Sequence, residues 1–90
     1  MSLGNGAKDL MIDRAEIGRR AVNEVLRICG EKNISVRYFL WLNRIPKSPY
    51  ERWMDGSAPS AVNLAVLKNA GADIDYILTG ERRNDGNKTV

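Results

Sequence analysis

Apolar residues recur along this chain at helical spacing almost from end to end, and no stretch alternates apolar and polar positions as a half-buried strand would. The spacing predicts five helices. The first covers Arg14 to Cys29. Asp13 stands at its N-cap with Glu16 three residues on, a capping-box pattern, and Gly30 stands where a helix-ending glycine belongs. Ile17, Ala21, Val22, Val25, Leu26, Ile28 and Cys29 fall on one half of its wheel, and Arg19, Arg20, Asn23, Glu24 and Arg27 on the other. The second helix covers Val36 to Asn43 with Ser35 as cap. Val36, Phe39 and Leu40 share its core face, while Tyr38, Trp41 and Leu42 point elsewhere, an unusually apolar surface for so short a helix.

Asn43-Arg44-Ile45-Pro46 reads as a break, because the residue before a proline is pushed towards extended geometry. The third helix is short: Ser48 as cap, Pro49 at the first helical position, Glu51 completing a Ser-x-x-Glu box, and Gly56 as the stop. Tyr50, Trp53 and Met54 take its inner side. The fourth, Ala61 to Ala70, follows Ser60 and ends at Gly71. It is apolar nearly all round and is expected to be the central, most buried helix. In the fifth, Asp73 caps Ile74 to Leu78 and Gly80 ends it. The fold class expected is all-α, a compact five-helix domain over residues 13–81, flanked by a flexible N-terminal arm (1–12) and a flexible C-terminal tail (82–90) whose Gly-, Asn- and charge-rich composition carries no apolar period.

Composition narrows the chemistry. Ninety residues suit one small domain. There is no histidine and one cysteine, so a Cys/His zinc site, an intramolecular disulfide and the usual general base are all excluded. Cys29 falls on the apolar stripe and reads as a small hydrophobe. No Gly-rich phosphate loop or metal-spaced ligand set is present; the chain reads as a non-enzyme with no cofactor and no small-molecule substrate. No signal peptide or membrane span is legible, which makes the cytoplasm the default compartment.

Net charge is only +3, but its distribution is uneven. From Lys32 to Arg52 five bases face one acid, Glu51. A basic centre on a near-neutral body suits a polyanionic partner. Two short helices joined by a tight break at that centre fit a helix-turn-helix DNA-binding domain, in which a short helix enters the major groove and its predecessor braces it across the backbone.

Two stretches carry a family resemblance. Ile45-Pro46-Lys47-Ser48-Pro49-Tyr50-Glu51-Arg52-Trp53-Met54-Asp55-Gly56 resembles the recognition-helix region of phage-repressor-type (CI- or Cro-like) helix-turn-helix proteins, with Ile45, Tyr50, Trp53 and Gly56 at the matching positions. Ala70-Gly71-Ala72-Asp73-Ile74-Asp75-Tyr76-Ile77-Leu78-Thr79-Gly80-Glu81 is similar to the family's closing motif, a short helix ending in Leu-Thr-Gly-Glu. Leu40 and Arg44 stand where the family usually has a small residue and a turn glycine, and Pro46 is atypical. The resemblance spans about Ile17 to Glu81. It implies a lambda-repressor-like domain of a phage or prophage transcriptional regulator, either a short regulator or a truncated piece of a longer one.

The expected base-edge residues are Lys47, Ser48, Glu51 and Arg52. The expected phosphate contacts are Lys32, Arg37, Tyr38 and Arg44, together with Ser57, Ser60 and Asn63 at the start of the fourth helix, where free N–H groups favour an anion. Ser60 also suits a simple cap. Trp53, Tyr50, Phe39 and Ile45 are assigned to the core. One helix reads only a few base pairs, so useful specificity calls for a homodimer on an inverted repeat of double-stranded DNA. The alternative is a helix-turn-helix fold used for protein contact, as in an antitoxin or an accessory phage factor; the acids on the third helix and the surplus apolar residues on the second favour it.

Overall fold

The computed structural model describes residues 12–82; the rest of the expected arm and tail lies outside them. Five α-helices follow one another: α1 (Arg14–Lys32), α2 (Val36–Leu42), α3 (Lys47–Met54), α4 (Ala61–Asn69) and α5 (Ile74–Thr79). There is no strand among the described residues, and no described helix is long and apolar enough to cross a membrane.

The central helix is α1, not α4. It packs against α2, α3 and α5, while α4 packs on α5. Its Ile17, Ala21, Val25, Ile28 and Cys29 are buried with Phe39, Leu40, Ile45, Tyr50, Trp53, Leu67 and Ile77 in one core. The continuous apolar content of α4 misled: Leu67 is its one buried residue, and Val62 is 73% exposed. Leu64 and Val66 pack against the core only in part, so α4 lies on the body without being enclosed by it. Leu26, on the edge of the α1 stripe, is likewise exposed.

Four helices end by the same hydrogen-bond pattern. The first or second residue past the helix takes a left-handed conformation and donates to the carbonyl three residues back, and the next residue donates to the carbonyl five back. The left-handed residues are Asn33, Arg44, Gly56 and Gly71. The longer bonds are Ile34 N–H to Cys29 O (3.0 Å), Ile45 to Leu40 (2.9 Å), Ser57 to Arg52 (2.9 Å) and Ala72 to Leu67 (2.9 Å). Asn33 therefore ends α1, three residues beyond the expected stop. Gly30 is an ordinary interior position of the helix, exposed, with open space beside it. The Asp13, Ser35, Ser60 and Asp73 caps form as expected. Glu16 turns to Arg19 and Arg20.

Two α1 residues fix its neighbours. A Cβ on Gly18 would collide with the backbone carbonyls of Ser57 and Trp53, so the end of α3 lies directly on the α1 backbone there. Glu24, placed by its wheel position among solvated residues, is fully buried. Its carboxylate accepts from Arg27 (2.8 Å), from the Asp73 backbone N–H (2.8 Å) and from Arg82 (2.7 Å). Burial pushes the Glu24 carboxyl up, but the bonds from Arg27, Asp73 and Arg82 outweigh it and hold the group at about 2. Arg82, counted above as the first residue of the tail, also meets Asp73 and lies 3.9 Å over the Tyr76 ring. Arg20 caps the far end of α5, its Nε donating to Ile77 O at 2.9 Å.

The same substitution at two α1 glycines is expected to have opposite signs. Gly18→Ala meets rigid backbone and should destabilise by about 1–3 kcal/mol. Gly30→Ala gains helix propensity in open space and should stabilise by about 0.5–1 kcal/mol. Urea midpoints of the two variants against the parent chain check this.

Acid should loosen the fold through Glu24. Its folded value lies below the ordinary one near 4.5, so its contribution is complete above pH 4.5 and is lost as pH falls towards about 2. The contribution is on the order of 3 kcal/mol. Urea melts at pH 7, 4.5 and 3 should show this fall. Glu24→Gln should be less stable at pH 7 and should flatten the pH dependence in that window.

Candidate nucleic-acid interface

The basic centre of the sequence becomes a helix, a four-residue connection and a second helix. The Ser35 hydroxyl accepts from the Tyr38 N–H at 3.0 Å, which starts α2 and sets Arg37 and Tyr38 in its exposed first turn. Asn43 closes α2: its side-chain amide donates to Phe39 O at 2.9 Å, and its own N–H reaches the same carbonyl. α2 thus stops at Leu42, one residue short of expectation. Arg44 takes the left-handed conformation, φ 59°, at the position identified above as the family's usual turn glycine. This lets Ile45 fold back under α2 into the core.

Pro46, not Ser48, occupies the N-cap of α3 and makes no side-chain cap bond. Arg44 and Ile45 lie outside the helices, as the proline predicts; Pro46 is itself extended and the helix begins at Lys47. Ser48 and Pro49 then fall inside the first turn, where the missing proline N–H costs nothing. The Ser48–Glu51 box does not form, and Glu51 faces Lys47 at 3.7 Å.

The two sides of α3 differ sharply. Tyr50 and Trp53 are buried, their rings edge to face at 5.8 Å. Burial pushes the Tyr50 phenol up, and proximity to Cys29 adds to it. Lys47, Ser48, Glu51 and Arg52 are all exposed on the other side, with Lys47 paired to Glu51 only across a long contact and its side chain 83% exposed. Met54, expected inward, is 56% exposed.

The remaining expected contacts divide into groups. Arg37, Lys47 and Glu51 meet on one groove between α2 and α3, and Arg44 lines an adjoining hollow with Trp41 and Ile45. Tyr38 is exposed, its ring 5.8 Å from that of Trp41. Lys32, Ser57, Ser60 and Asn63 lie outside both hollows. The Ser57 N–H is used by Arg52 O, and the Ser60 hydroxyl accepts from the Asn63 N–H at 3.2 Å. The capping role of Ser60 is therefore filled.

Ion pairing separates the charges. Arg19, Arg20, Arg27 and Arg82 are each paired to Glu16, Glu24, Glu31 or Asp73 on the α1 and α5 side. Lys32, Arg37, Arg44 and Arg52 make no ion pair among the described residues. What the sequence reading missed here is the α2–α3 groove itself: Val36 packs against the core as expected but also lines the groove, and Met54, assigned inward, is exposed there.

Arg44→Gly relieves a conformation that costs a side-chain-bearing residue about 1 kcal/mol. It should raise the thermal midpoint slightly, with a net gain of at most about 0.5 kcal/mol after the larger unfolded-state freedom of glycine is counted. Calorimetry of the variant checks it. Compared with protein-family models, with curated proteins and with solved structures, the chain matches none at a significant level.

Proposed function

We propose that this chain is a sequence-specific double-stranded DNA-binding transcriptional regulator of the phage-repressor type. In this reading the domain is lambda-repressor-like, α2 and α3 form its helix-turn-helix, and it acts as a cytoplasmic homodimer on an inverted repeat. The observation that carries it is the division of α3: Tyr50 and Trp53 locked in the core, Lys47, Ser48, Glu51 and Arg52 presented together on the free side. A helix so held can lie in a major groove with its polar face towards the base edges. Arg52 suits a bidentate bond to guanine, and Glu51 suits the cytosine amino group. Arg37 and Arg44, which make no ion pair among the described residues, and Tyr38 suit flanking phosphates, and Lys32 suits a more distant one. The reading gives the chain no catalytic step and no cofactor. Two copies would set their α3 helices about 34–36 Å apart, one turn of duplex.

Selection from a pool of random duplexes should enrich an inverted repeat. Affinity for the selected site should fall about a thousandfold between 50 and 200 mM salt, as for roughly six neutralised phosphates. Arg52→Ala should cost about 1–3 kcal/mol and relax preference at one base pair, whereas Arg37→Ala should weaken all sequences alike and lower the salt slope by about one. A folded Lys47→Ala, Arg52→Ala double variant that retains full duplex affinity would overturn the assignment of α3.

A further inference from the structure

The apolar side chains that α2 leaves in solvent do not lie scattered. Trp41 is 72% exposed and Met54 56% exposed, and both line a groove of about 520 Å³ floored by Val36 and Tyr50. Large aromatic and thioether side chains left uncovered on so small a body mark a contact surface. The rim is cationic: Arg37 and Lys47 border the groove against the single acid Glu51, and Arg44 lines the hollow beside it.

The charge of the rim selects among occupants. A second copy of this chain seated here would bring Arg37, Arg44 and Lys47 against their own like. The segments outside the described residues offer no acidic surplus: residues 1–11 carry Lys8 and Asp9, and residues 83–90 carry Arg83, Asp85 and Lys88. A duplex would satisfy the cations but leave Trp41 and Met54 without an apolar partner. A peptide with an apolar side chain between acidic ones satisfies floor and rim together.

We propose that the α2–α3 groove is a docking site for an acidic segment of a partner protein, whose apolar side chain packs on Trp41 and Met54 while its carboxylates pair with Arg37 and Lys47. Because Arg37 and Lys47 are also placed at the DNA above, the occupant excludes duplex; that exclusion rests on the DNA reading, and the peptide site does not.

The test pans a random peptide library against the full chain and measures the enriched peptides by fluorescence anisotropy. The expected consensus is an aromatic or aliphatic residue flanked by Asp or Glu. Trp41→Ala and Arg37→Glu should each weaken it by about tenfold or more, with thermal midpoints unchanged because both side chains are exposed. Trp41→Ala should leave duplex affinity intact, and excess peptide should release bound duplex from the parent chain. No enrichment, a consensus without acids, or binding indifferent to Trp41→Ala overturns the site even if duplex binds. Peptide bound alongside duplex overturns the exclusion alone. Absence of duplex binding with the peptide consensus intact overturns the DNA reading and leaves the site standing.

Discussion

The position of α3 depends on a missing side chain. At Gly18 the α1 backbone is bare, and the carbonyls of Trp53 and Ser57 occupy the volume that any Cβ would fill. Close backbone approach brings Trp53 fully into the core, and with Trp53 inward the helical period turns Lys47, Ser48, Glu51 and Arg52 outward. Six residues later Glu24 anchors the other partner of α1. At 1.5 Å and 100° per residue, the two points lie about 9 Å apart along the axis and about 120° apart around it. One helix therefore holds α3 by a steric contact and α5 by a charged one, on different sides, and the two attachments do not compete.

The turns do as much as the packing to aim the helices. The repeated ending at Asn33, Arg44, Gly56 and Gly71 reverses the chain within two residues, and the residue after it is Ile34, Ile45, Ser57 or Ala72. Three of those four are apolar and packed in or against the core, so each turn is pinned at its far side by burial as well as by its hydrogen bonds. Arg44 alone of the four is neither glycine nor asparagine. Strain of this kind persists where the surroundings over-determine it. The paired bonds of Asn43 to Phe39, together with the buried Ile45, supply that determination. The result is a guanidinium at the tip of the connection, where the glycine usual in the resembled family would bring no charge.

Much of the helix layout was legible because its signals are local. Ser35, Ser60 and Asp73 cap the helices they precede, and Phe39, Ile45, Tyr50 and Trp53 are buried as their spacing implies. The failures share one cause. Gly30 looked like a stop because glycine favours helix ends, yet Asn33 tolerates the same left-handed geometry and the apolar stripe carries the helix to it. Ser48 looked like a cap, but Pro46 takes the extended conformation of an N-cap and the helix starts one residue ahead of Ser48. The apolar content of α4 says nothing about which neighbours exist to cover it. Glu24 is the hardest case: its partners Asp73 and Arg82 lie 49 and 58 residues away, so no window along the chain shows that this carboxylate is enclosed. The closing Leu78-Thr79-Gly80-Glu81 acquires a physical sense only with them. Thr79 and Gly80 turn the chain back over α5, with the Thr79 hydroxyl bonded to Asp75 O at 2.7 Å, and so deliver Arg82 to Glu24.

That distant pairing also changes what the net charge means. A cation already paired to a carboxylate contributes little field at a distance, because the pair is close to neutral beyond its own length. Here the pairs are drawn from one side of the molecule: Glu16, Glu24, Glu31 and Asp73 neutralise arginines of α1 and the residue after α5. Those four acids are thereby committed to α1 and α5, and the carboxylates left at α3 are Glu51 and the C-cap Asp55. Among the described residues Arg37, Arg44 and Arg52 have no ion-pair partner, and Lys47 meets Glu51 only at 3.7 Å. A chain of net charge +3 can therefore carry a local excess of base over acid along α2, the connection and α3. The folding of α5 onto α1 is what brings Asp73 and Arg82 to Glu24 and Arg27, so that these charges pair with one another.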